Sequence, residues 1–230
     1  MREFLISLLF SFNLFAQITY QDQADHQQGG ANPQTVSTVP SGTNSCWVAL
    51  ATTSSARTIS SVTDDGAGLT WNEVYNITSG SQRVSAHVAY GTQGSTFDLS
   101  YAFNLNSPIN VVVLRYTGVD GTTPTEGATT ATGSDDTPTV TQSGGSFDSG
   151  DLYITGTGVN SAATVDTPDA NYTERFSVSL GSYNKWAGED DADGTPTHTL
   201  STSGDWGSGI FILNAASTSN PSRGRIIIID

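Results

Sequence analysis

Ile109-Asn110-Val111-Val112-Val113-Leu114-Arg115-Tyr116-Thr117-Gly118-Val119 is the stretch that decides the fold. It is rich in β-branched and aromatic residues, and Gly118-Val119-Asp120-Gly121 stops it, so it reads as a β-strand. Its uninterrupted apolar centre predicts a strand covered on both faces. A Thr-rich stretch follows, and then the grammar starts again. Gly209-Ile210-Phe211-Ile212-Leu213-Asn214-Ala215 echoes the first run, and other pairs accompany it. Asp151-Leu152-Tyr153-Ile154 answers Cys46-Trp47-Val48-Ala49-Leu50, and Tyr172-Thr173-Glu174 answers Trp71-Asn72-Glu73. Trp186-Ala187-Gly188 stands where Val88-Ala89-Tyr90-Gly91 stood, and Thr197-His198-Thr199-Leu200 answers Ser95 to Leu99. A steady offset of roughly 100 residues marks an internal repeat.

Working outward, strands are expected at 34–39, 46–52, 58–62, 69–77, 83–90, 96–103 and 109–119 in the first half. Turn residues such as Pro40-Ser41-Gly42, Asp64-Asp65-Gly66 and Ser79-Gly80 separate them. Along 84–90, Val84, Ala86 and Val88 alternate with Ser85, His87 and Ala89, which places His87 on the face opposite its apolar neighbours. The fold class is therefore all-β, a two-sheet jelly-roll-like sandwich with an internal pseudo-repeat of about 100 residues. The sandwich is assigned to 34–215, with halves 34–120 and 146–215. A crossover, 121–145, carries at most an edge strand at Thr137–Gln142. Two separate immunoglobulin-like domains are the alternative. Residues 17–33 are polar and Gln-rich and read as an arm, with Ile18-Thr19-Tyr20 as a possible short strand.

The two ends are apolar. Met1-Arg2-Glu3 precedes an apolar run, Phe4 to Ala16, that ends in a small-residue cleavage pattern, as a secretory leader does (segment 1–16). The alternative is a retained segment that packs on a neighbour; the run is too short for a stable membrane span. The tail, 216–230, contains Ile226-Ile227-Ile228-Ile229. Such a strand needs a partner, either its own sheet or a neighbouring subunit. These features place the protein outside the cell or on an exposed surface.

Composition narrows the classes further. Charged residues make up 13% of the 230, the formal net charge is −14, and Lys185 is the single lysine. An acidic surface of this kind repels phosphate backbones, which excludes nucleic acid as a partner. Cys46 is alone, so no intramolecular disulfide forms, and its apolar neighbours predict a buried, inert thiol.

The order Cys46–Thr52, Asp65-Gly66 to Trp71, Val111–Gly118 with Val119-Asp120-Gly121, then Gly150-Asp151-Leu152-Tyr153 resembles a β-sandwich domain recurrent in phage virion proteins and secreted bacterial surface proteins. The resemblance implies a sandwich used for display, attachment or assembly, and transfers no catalytic residue. Cys46-Trp47 departs from its usual Gly-Asp-like start of the first long strand.

Chemistry-bearing patterns are few. Phosphate-binding loops and G-x-S-x-G elbows are absent, and His26, His87 and His198 are too dispersed for a zinc site. Carbohydrate cleavage would need two facing carboxylates, for which Glu73 and Glu174, matched by the repeat, are the available pair. Glu189-Asp190-Asp191-Ala192-Asp193-Gly194 has alternating oxygen donors and a turn glycine, so Glu189, Asp190, Asp191 and Asp193 are candidate calcium (Ca2+) ligands. Trp186 and Trp206, with Tyr183, are candidates for a glycan-stacking platform, whereas Trp47 and Trp71 read as core. No catalytic residue is assigned. The expectation is a non-enzymatic structural, assembly or display protein of a virion or cell exterior. It would self-associate or join other surface subunits, with Ile226, Ile227, Ile228 and Ile229 as assembly residues. A secreted glycan-binding or adhesion module is the alternative.

Overall fold

The computed structural model describes residues 16–54, 56–66, 68–106, 108–160, 164–180 and 183–217. The first half contains β1 (Thr19–Gln28), β2 (Gln34–Val39), β3 (Gly42–Ser54), β4 (Ile59–Asp64), β5 (Asn72–Ser79), β6 (Gln82–Gln93), β7 (Phe97–Phe103) and β8 (Ile109–Thr117). The second contains β9 (Thr125–Gly133), β10 (Leu152–Asn160), β11 (Val165–Thr167), β12 (Thr173–Leu180), β13 (Tyr183–Asp190), β14 (Thr199–Leu200) and β15 (Trp206–Leu213). All pairings are antiparallel, and no helix occurs among the described residues.

Two five-stranded sheets, β1-β8-β3-β6-β5 and β9-β15-β10-β13-β12, face each other and form the sandwich. Their orders are the same once equivalent strands are matched, so the repeat read in the sequence is a repeat of topology. Smaller sheets cover the outer faces. The sheet β2-β7-β4 closes over Trp47, Ala49, Ala51, Val111 and Val113, and the pair β11-β14 lies over Val159 and Trp206. That layering explains the continuous apolar runs. From Ser45 to Thr53 every residue of β3 is buried, as is every residue from Ile109 to Leu114 of β8. His87 does face away from Val84 and Val88, but its own face is covered too, and it lies edge-on to Tyr101 with ring centroids 5.6 Å apart.

The central core joins both halves. Val48, Leu50, Val84, Val112 and Leu114 come from the first sheet; Ile154, Phe176, Ala187, Phe211 and Leu213 come from the second. The two inner faces carry unlike side chains. Leu50 lies between Ala86 and Val112, while Gly156 on β10 lies between Ala187 and Gly209. At its glycines the second sheet presents bare backbone to side chains of the first. A Cβ on Gly209 would overlap the Tyr75 ring, and one on Gly158 would lie 2.7 Å from Val84 Cγ2. Close packing of this kind is where interior stability resides.

Two expectations need correction. Thr19–Gln28, read as part of a polar arm, is the long edge strand β1, paired along its length with β8. A backbone ladder does not need apolar side chains, and an edge strand suits glutamines. His26 on this strand is half-buried, its Nε2 3.1 Å from Gln34 Oε1. Within the crossover the strand is Thr125–Gly133, paired with β15, rather than 137–142, which contributes an isolated Thr139–Thr197 bridge. Cys46 is fully buried, and desolvation raises its thiol pKa far above the usual range.

The chain begins and ends its described course at one place. Ala16 N–H donates to the Ala216 carbonyl (2.9 Å), and Ala216 N–H donates to Gly118 O (2.8 Å). Gly118 has φ +78°, and a Cβ there would strike the Gln17 carbonyl, so only glycine fits this crossing. The apolar run through Phe15 and the isoleucines 226–229 lie outside the described residues.

Candidate functional site

A polar groove runs along the seam between the halves, beside the Ala16–Ala216 crossing. Its larger lobe, of about 540 Å³, is lined by Gln17 to Tyr20, Leu152, Asn171, Thr173, Arg175 and Glu189 to Asp191. A second lobe of about 420 Å³ continues past Phe147 and Asp151.

The floor is a bridge between the halves. Arg175 occupies the register shift that bulges β12 between Glu174 and Phe176. Its guanidinium donates to Glu189 Oε1 of β13 and lies 4.0 Å from the centroid of the Tyr20 ring of β1. Tyr116 of β8 donates to the other oxygen, Oε2, at 2.5 Å. Tyr20 and Tyr116 meet edge to face, with centroids 5.9 Å apart. Burial, then the Glu189 carboxylate, pushes the Tyr116 hydroxyl well above its ordinary pKa, so it stays a donor. Glu189 is therefore a buried carboxylate held by both halves.

The rest of the acidic loop is largely committed to its own turn. Asp190 Oδ1 accepts from the N–H groups of Ala192 and Asp193. Asp193 Oδ1 accepts from Thr195 N–H (2.8 Å), and Oδ2 from Asn171 Nδ2 (2.9 Å). The Tyr172 hydroxyl donates to the Asp193 carbonyl. Asp191, exposed at the groove, is the loop carboxylate with no such duty. Among the described residues no group of three or more His, Cys, Asp or Glu side chains is arranged to hold a metal ion.

Neither tryptophan of the expected aromatic platform is exposed. Trp186 is fully buried, donates through Nε1 to Glu174 Oε2 (2.7 Å), and lies between Tyr172 and His198. Trp206 is also buried, donating to Asp135 Oδ1 at 2.8 Å and packing on Val159 and Leu200. Turn residues flank Trp206 in sequence, but its strand places the indole under the β11-β14 layer. Tyr183 begins β13, and its side chain lies outside the described residues. Glu73 and Glu174 do not face each other. They sit on β5 and β12, equivalent edge strands at opposite ends of the stacked sheets, where Glu73 Oε2 is 3.8 Å from His87 Nε2 and Glu174 serves Trp186.

Sequence reasoning passed over Arg175, Tyr116 and Lys185. Lys185 is fully buried between the large sheets, donates to the Leu50 carbonyl across the seam, and is driven well below its ordinary pKa by desolvation. Its signal was the alternation Lys185, Ala187, Glu189 along β13, which puts a lysine on an inward face. Comparison of the chain with protein-family models, curated proteins and solved structures found no match.

Proposed function

We propose that the protein is a non-enzymatic structural protein of a virion or cell exterior, a rigid paired sandwich that carries assembly contacts at its ends. The observation that supports this most is the Ala16–Ala216 hydrogen bond. It brings Ala16, next in sequence to the apolar run, and Ala216, which precedes the segment bearing Ile226–Ile229, to one place on the body. The body suits the role. Its indoles and single lysine are spent on internal packing, and jelly-roll sandwiches recur in capsids and lectins, although a fold alone does not assign a function. The net charge of −14 keeps such a surface soluble between contacts.

Sedimentation of the native chain, before and after removal of Arg225–Asp230, tests the reading. A full-length chain that sediments as an assembly and becomes monomeric without the isoleucines supports it. A chain that is monomeric in both forms overturns it.

A further inference from the structure

We propose that His198 is an acid-released latch for the groove rim, holding the turn at 168–172, and through it the acidic loop, only while its imidazole is neutral. The Asp169 N–H donates to His198 Nδ1 at 3.3 Å. A backbone amide can only donate, so Nδ1 is the bare nitrogen and Nε2 carries the ring proton. The Asp169 carboxylate closes the same turn, accepting from Asn171 N–H (3.0 Å) and Thr197 N–H (2.8 Å). From there the hold passes outward, because Asn171 and Tyr172 are the two side chains that grip Asp193. Asn171 also lines the groove.

Protonation of Nδ1 turns the acceptor into a donor facing a donor, and it places charge in a site that is 1% exposed. The imidazole lies against the Trp186 indole, with centroids 4.3 Å apart, and Pro138 O accepts from its backbone N–H. Among the described residues Asp169 is the charged group acting on it electrostatically, and it favours the proton. Glu174 stands beyond the indole and is engaged by Nε1, and Asp193 stands beyond Tyr172. Burial outweighs Asp169 and lowers the ring pKa from 6.5 to about 4. The sign follows. A group depressed in the closed form leaves that form fully stable above pH 6.5 and weakens it as pH falls toward 4. The open-to-closed ratio then rises by up to about 300-fold over that interval.

The test is amide hydrogen exchange at Asp169, Asn171, Tyr172 and Thr197, corrected for intrinsic rates, at pH 7.5 and pH 5. An increase of about 30-fold in the opening constant is expected in the native chain. The Val48 amide of β3 should be unmoved. His198→Gln keeps an acceptor but cannot titrate, and should make the opening constant independent of pH; His87→Gln, in the other half, should leave the native response intact. A native opening constant that changes less than threefold, or a pH response that survives in His198→Gln, overturns the proposal. Should His198→Gln fail to fold, the imidazole carbon shift of native His198 decides the matter. A titration midpoint near 4 supports the latch, and one above 6 overturns it.

Discussion

At the centre of the molecule the fully buried Lys185 brings an amine against the Leu50 carbonyl. The cost of that burial depends on pH. With the folded-state pKa well below 10.5, the unfolded chain binds a proton that the folded chain lacks. Stability is then lost as pH falls below 10.5, by about 1.4 kcal/mol for each unit until the folded pKa is reached. Lys185→Met should abolish that slope and raise stability at pH 7 by about 1–3 kcal/mol, as urea unfolding at pH 7 and pH 9.5 would register. At the seam the reverse holds. Arg175→Ala leaves the Glu189 carboxylate buried with Tyr116 as its remaining partner, and a loss of about 1–3 kcal/mol is expected after allowance for the partial exposure of Arg175. Adding Glu189→Gln should recover part of the loss, and a double-mutant cycle measures how much.

Among the elements, β10 and β15 do most to decide how the halves meet, because their glycines admit Tyr75, Leu50 and Val84 onto bare backbone. Gly209→Ala should cost about 3 kcal/mol through overlap with Tyr75, while Gly94→Ala, with open space around it, should change the melting temperature little. Equal effects of the two would contradict this account of the packing. Elements differ too in how plainly the chain announced them. Strands β3 and β8 were legible because burial on both faces leaves continuous apolar runs, and β6 and β7 because apolar residues recur at every second position. Strands β1 and β9 were not, since glutamine and threonine edges satisfy backbone bonds without any apolar pattern. For the same reason, the site was misplaced rather than missed. The acidic loop does border the groove, but whether Trp186 and Trp206 point outward depends on the small outer sheets, whose covering role no local pattern revealed.

For the molecule as a whole, a core shared by both halves predicts one transition instead of two. Trp47 and Trp71 report from the first half, Trp186 and Trp206 from the second. Single-tryptophan variants should lose fluorescence at the same urea concentration, with calorimetric and van't Hoff enthalpies equal; separate midpoints would mean that the halves fold independently. The crossing of the chain at Ala16 and Ala216 carries a mechanical consequence. Ala16 leads into the edge strand β1 of one large sheet, and Ala216 follows β15 of the other. A pull that separates these two points breaks their hydrogen bond first and then loads the β1–β8 ladder from its Thr19–Thr117 end, so the edge strand peels before the interior strands are stressed.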